Sequence, residues 1–192
     1  CAEALARSGV GTLFLIDSDT LAPSNINRQS IALLSTVGQK KTDVMKEKIA
    51  DINPECSVFT SSAFVLPENL REVFSSCPVK PDYIIDAIDT VSAKIELIAR
   101  AAQAGVPIVS AMGCGNRLDA TKFVVTDLYK TQNDPLARVL RRELRRRGVE
   151  RLRVVCSTAP ALTPRPGGET KGTAGRPAPG SVSWRSEERR VG

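Results

Sequence analysis

A chain of 192 residues that is 42% hydrophobic is long enough to bury one domain, or one domain with a subdomain, and it has no apolar run of transmembrane length. Its net charge is a moderate +6, and its five cysteines, Cys1, Cys56, Cys77, Cys114 and Cys156, form no CxxC pair, which fits neither a zinc ribbon nor a disulfide framework. Histidine is absent, so any triad, metal site or general base that needs an imidazole is excluded, and the chemistry falls to carboxylates, Lys, Arg, Cys or a bound ion.

The opening CAEALARSG reads as the tail of a helix capped at Gly9, without the basic leader or apolar stretch of a signal peptide, so a cytoplasmic, soluble protein that begins mid-fold is expected. LFLID, 13–17, has the pattern of a short strand buried on both faces. After a polar loop, KKTDVMKEKIADINP carries Met45, Ile49 and Ile52 on one helical face and stops at Asn53 and Pro54. A weaker strand over 57–64 and a short helix around 68–74 follow. DYIIDAID, 82–89, returns to the buried-strand pattern and again ends in an acid; VSAKIELIARAAQAG is a helix closed by Gly105, and VPIVSAMG, 106–113, is the next strand. Strand, helix and strand alternate with short connections, which predicts an α/β fold built on a mostly parallel sheet with flanking helices. FVVTDL (123–128) and RVVCST (153–158) are strands on either side of an arginine-rich helix that starts at Asp134–Pro135 and ends at Gly148. From Ala159 on, Pro and Gly dominate, and WRSEERRVG, 184–192, has no apolar period.

In open parallel sheets ligands bind beyond the carboxyl ends of the strands, where helix amino termini converge. Asp17 and Asp89 stand at two such ends. Asp17 is placed either to accept hydrogen bonds from a ribose diol or to sit as a solvated carboxylate. Arg28 offers a planar fork for phosphate, and Lys41, at a helix start, adds a second cation where the helix dipole favours an anion; the plainer alternative is an ordinary charged surface.

Four pieces in order, IDSD (16–19), SNINRQ (24–29), GQKK (38–41) and IDAID (85–89), resemble the adenylate-forming core of the HesA/MoeB/ThiF superfamily, relatives of the ubiquitin-activating enzymes. The resemblance implies a Rossmann-like domain over 1–158, followed at 159–192 by a poorly ordered linker and tail. It also implies ATP and Mg2+. Asp17 would hold the ATP ribose; Asn25, Arg28 and Gln29 would line the phosphate path; Arg28 and Lys41 would bind the phosphates; and Asp89 would hold magnesium, for which one carboxylate plus phosphates and waters suffices. The alternative for Asp89 is a cap on the helix that follows. Attack of a carboxylate on the α-phosphorus would then give an acyl-adenylate, with Arg28, Lys41 and Asp89 acting by screening and positioning charge rather than by proton transfer.

VSAMGCGNRLDATKFVVTDLYKT and DPLARVLRRELRRRGV further resemble the TcdA branch, the tRNA threonylcarbamoyladenosine dehydratases, over most of Cys1 to Thr158. That branch activates the carboxylate of the modified adenosine beside the anticodon with ATP, and the side chain cyclises with loss of water. The lack of CxxC fits it, and so does the arginine helix. Leu136, Val139, Leu140 and Leu144 lie on one face, and Arg138, Arg141, Arg142, Arg145 and Arg146 crowd the rest against Glu143 alone; they form either a tRNA phosphate surface or a solvated helix face. Homodimerisation and a sulfur-relay protein partner are further implications, with no membrane involvement. Cys114 and Cys156 read as packing residues, and no catalytic cysteine is assigned. The alternatives are an adenylyltransferase acting on a ubiquitin-like carrier protein, or a non-catalytic nucleic-acid-binding module. The sequence departs from the superfamily at both ends. The glycine-rich loop and its preceding strand, expected just ahead of Cys1, are missing, and the segment from Trp184 to Gly192 has a foreign character. The polypeptide alone is therefore expected to bind ATP weakly and to be inactive.

Overall fold

The computed structural model describes residues 1–117 and 119–162, and the backbone of 170, 171, 176 and 177. Contacts divide it into two units, Cys1–Lys80 and the chain from Pro81 on.

In the first unit, α1 (Ala2–Arg7), β1 (Thr12–Ile16), α2 (Lys41–Ile52), β2 (Ser57–Ser61) and α3 (Leu70–Ser75) follow in order. β1 and β2 are parallel, paired from Thr12↔Ser57 to Ile16↔Ser61. The predicted apolar face of α2 forms: Ile49 is fully buried with Ala6 and Cys56, and Met45, Ile52, Leu13, Leu15 and Val58 pack around them. A smaller cluster of Leu21, Ile31, Ala32 and Val44 anchors the long loop between β1 and α2. β1 itself is half-buried rather than buried on both faces, which corrects the reading of LFLID. Strand alternation turns only Leu13 and Leu15 toward this helical cluster, and in its two-stranded sheet β1 has one neighbour.

The second unit holds β3 (Ile84–Asp86), α4 (Val91–Ala104), β4 (Ile108–Ala111), β5 (Phe123–Asp127), α5 (Pro135–Arg146) and β6 (Arg153–Ser157). Its sheet runs β3-β4-β6-β5; the first three are parallel and β5 is antiparallel to β6. Ile95, Ile98, Leu128, Leu140, Leu144 and Val154 are the centre of its core. α5 begins where Asp134 and Pro135 predict, the Asp134 carboxylate accepting from the Ala137 amide at 2.9 Å. Gly105 and Gly148 follow α4 and α5 with φ of 67° and 75°, left-handed backbone that lets the Val106 and Val149 amides turn back onto the carbonyls of Ala101 and Leu144. β3 is shorter than DYIIDAID suggests. The Asp86 carboxylate accepts from the Ile88 amide at 3.0 Å, and that turn ends the strand.

Thr170–Lys171 pairs antiparallel with Arg176–Pro177. The remainder of the expected linker and tail, 163–169, 172–175 and 178–192, lies outside the described residues. Among the described residues no helix is long and apolar enough to cross a membrane. No disulfide joins the five cysteines.

Candidate functional site

At the carboxyl end of β1 the chain turns sharply. The Asp17 amide still donates to the Ser61 carbonyl at 3.1 Å, while its carboxylate accepts from the Asp19 amide at 2.9 Å. α2 starts against this turn, with the Lys41 amide donating to the Asp19 carbonyl. The Lys41 ammonium lies 2.7 Å from Asp19 Oδ2 and 3.7 Å from Asp17 Oδ2, and its side chain is only 13% exposed. Asp17 and Lys41 are therefore on the same side of the sheet. Asp19 belongs to the cluster as a direct ion-pair partner, a role the sequence motif did not assign; the clue was its place two residues past a strand-end acid.

The loop bearing the other candidates is a 3-10 turn, Pro23–Asn25. Asn25 is buried and closes this turn, its side-chain oxygen accepting from the Ala22 amide at 3.0 Å. The Arg28 guanidinium donates to the Ser24 carbonyl and to Asn27 Oδ1, so it is held within its own loop. Gln29 Oε1 is buried and has no hydrogen-bond partner among the described residues, an acceptor that a donor must still satisfy.

Asp89 lies three residues past β3, exposed, and its carboxylate has neither a hydrogen bond nor an ion pair among the described residues. The residue at the cap position of α4 is Thr90, so Asp89 is not the cap of that helix. One free, hard carboxylate suits Mg2+, which takes few protein ligands. Among the described residues no group of three His, Cys, Asp or Glu side chains gathers for a metal.

Beneath this loop lies a network that periodicity did not disclose. Lys94 and Asp86 are both 1% exposed. The ammonium donates to Asp86 Oδ2 at 2.7 Å, Ser110 Oγ at 3.1 Å and the Ala111 carbonyl at 3.1 Å, and Ser110 donates to the same carboxylate oxygen at 2.6 Å. Every ammonium proton is used, which is the condition for a buried charge to be tolerated.

The five arginines of α5 divide. Arg141 is turned inward, donating to the side chain and carbonyl of Thr131. Arg142 and Arg146 pair with Glu143. Arg145 stacks over the Tyr129 ring, 5.0 Å from its centre. Arg138 is exposed. Arg117, which sequence reading passed over, is 2% exposed, donates to the carbonyls of Gly113 and Asn133, and has no partner for Nη1 among the described residues. Burial, with Asp134 nearby, pushes the Cys156 thiol up, which makes it a poor nucleophile; Cys114 donates to the Met112 carbonyl at 3.2 Å.

The layout is that of a Rossmann-like α/β protein with an acid and a lysine gathered at the end of its first strand, and comparison gives it a family. The chain belongs to the ThiF family, whose model matches residues 1–166. It is 47% identical over 150 residues to the tRNA threonylcarbamoyladenosine dehydratase of Bacillus subtilis, covering 78% of this chain and 58% of that protein. It is 46% identical over 144 residues to the Escherichia coli protein of the same name, covering 75% and 53%. The chain thus spans about half the length of the curated relatives it matches. The crystal structure of the E. coli dehydratase TcdA in complex with ATP superposes with a TM-score of 0.78 at 41% identity, over 85% of this chain and 69% of that one. The complex of the same enzyme with AMP gives 0.78 at 40% identity, over 87% and 70%.

Proposed function

We propose that this chain is the nucleotide-handling portion of an ATP-dependent tRNA threonylcarbamoyladenosine dehydratase. The observation that carries the reading is the Lys41 ammonium, held between Asp17 and Asp19 at the end of β1. A phosphate arriving there takes over an ammonium already in place, so little ordering remains to be done at the moment of reaction. ATP enters as substrate. Asp17 accepts from the ribose, Asn25 and Gln29 line the phosphate path, and Arg28 and Lys41 offset the charge of the phosphates. The substrate carboxylate attacks the α-phosphorus, the α–β anhydride bond breaks, and pyrophosphate leaves with the electron pair. The carbamoyl group of the side chain then attacks the activated acyl carbon, a proton is lost from that group, and AMP leaves with the electron pair of the broken acyl–phosphate bond. Mg2+ held by Asp89 would neutralise the departing pyrophosphate. On this reading the enzyme works in the cytoplasm as a homodimer alongside a sulfur-relay protein.

The test uses a chain with a relative's glycine-rich loop supplied ahead of Cys1. ATP–pyrophosphate exchange stimulated by tRNA is expected, and Lys41→Ala should lower it by about 100-fold. Mass spectrometry of tRNA nucleosides should show the cyclised adenosine. Exchange that depends instead on a carrier protein with a Gly-Gly tail, and not on tRNA, overturns the reading.

A further inference from the structure

Where β5 leads into the 3-10 turn before α5, and where the end of α5 leads into β6, the second unit carries an open depression of about 1060 Å³. Four cations line it: Lys130, Arg145, Arg151 and Arg153. All four are exposed, and none forms an ion pair among the described residues. Toward the end of α5 the neighbouring exposed arginines are engaged, Arg142 and Arg146 with Glu143 and Arg147 with Glu96. Two acids share the depression. The Asp127 carboxylate is occupied by the backbone amides of Tyr129 and Leu152, which leaves Glu150 as the one outward acid of the lining. Four positive charges against two negative ones leave the surface with a net excess of cations.

The support beneath it is rigid. The Tyr129 hydroxyl donates to the Val149 carbonyl, bracing one wall against the other, and the Arg145 guanidinium sits over the Tyr129 ring, 5.0 Å from its centre. A guanidinium laid on an aromatic ring is restrained without losing its charge, so less freedom is lost when it meets an anion. Unpaired cations on a concave, solvent-open surface, with Val125 as the single large hydrophobic exposed in its lining, match a phosphodiester backbone better than a folded protein partner.

We propose that this depression, rather than the arginine-lined face of α5 as a whole, is the surface that grips the RNA backbone. Lys130, Arg145, Arg151 and Arg153 are its phosphate contacts. The proposal rests on the tRNA reading above and locates where the polynucleotide is held. Such contacts carry little base information and a strong salt dependence.

Binding of unfractionated tRNA to the chain, measured across a salt series, tests it. K130A/R145A/R151A/R153A should bind at least tenfold more weakly, with the slope of log affinity against log salt reduced by about 3. R142A/R146A should stay within twofold of the parent, and R145K/R151K/R153K, which keeps the charges, should retain most of the affinity. Should the fourfold variant melt early, R151A and R153A alone should each lower the slope by about 1. Wild-type affinity in the fourfold variant overturns the assignment and leaves the tRNA reading standing. Failure of the parent chain to bind tRNA even at low salt overturns both. Displacement of tRNA by polyglutamate at equal charge would assign the surface to an acidic protein and likewise overturns the proposal.

Discussion

Lys94 gives up its hydration for three protein acceptors, and the exchange is tolerable only because each of them is present: Asp86, Ser110 and the Ala111 carbonyl. Asp86 is equally committed, taking Lys94 and Ser110 on one oxygen and the Ile88 amide on the other. Removing one member strands the opposite charge where water does not reach. Lys94→Met is therefore expected to destabilise the second unit by about 3–5 kcal/mol in urea denaturation. Adding Asp86→Leu should recover part of that loss, because the stranded carboxylate goes with it. A double variant no more stable than the single one would show that the carboxylate earns its place through Ser110 and Ile88 instead.

At the scale of elements, Asp134 does two jobs. One oxygen accepts from the Ala137 amide at the start of α5, and the other accepts from the Gly113 amide just past β4. Asp134→Ala should therefore cost more than a solvent-exposed cap, about 2 kcal/mol, read as a lower urea midpoint with an unchanged slope. Most elements were legible beforehand because their signals are local. Apolar spacing placed α2 and α4, an Asp-Pro pair opened α5, and Gly105 and Gly148 closed the last two helices. What escaped depends on partners that meet only after folding. The acid that ends β3 is Asp86, not Asp89, since a carboxylate reaching its own chain two residues on looks no different in sequence from one facing solvent. Arg141 is spaced as a surface residue, yet the Thr131 carbonyl draws it inward. In the site itself, the motif set Asp17 and Lys41 in one pocket but did not foretell the ion pairs of Lys41 with Asp17 and Asp19, and the unpaired cations of Lys130, Arg151 and Arg153 lay outside any helical pattern.

Over the whole molecule the two units differ in how they are held. The second buries one large cluster, while the first relies on two smaller ones and on an ion pair between α1 and α2. Glu3 on α1 meets Lys48 of α2 at 2.8 Å and Arg7 at 3.1 Å, and these partners, Lys48 foremost, hold its carboxyl at about 2. A carboxylate depressed in the folded state contributes stability that is complete above its unfolded value near 4.5 and is lost as pH falls toward 2. Acid should therefore loosen residues 1–80 first. Amide exchange followed from pH 5 to pH 2.5 is expected to rise earlier there than in the chain from Pro81 on, and Glu3→Gln should flatten that difference by removing the titrating group. Equal acceleration in both units would refute this ordering.

The reversed direction of β5 sets a distance. Its first residue, Phe123, lies beside Ser157 at one end of the sheet, and its last, Asp127, beside Arg153 at the other. Asp86 stands level with Ser110 and, through it, with Val154, and the chain from there to Asp89 continues in the direction of Ser157, since β3, β4 and β6 run in parallel. The basic depression opens at the Arg153 end. A strand of five residues spans roughly 16 Å. On the proposed reading, a polynucleotide gripped near Arg153 and handled beyond Asp89 has part of that length to cover, whereas a free modified nucleoside would never meet the grip.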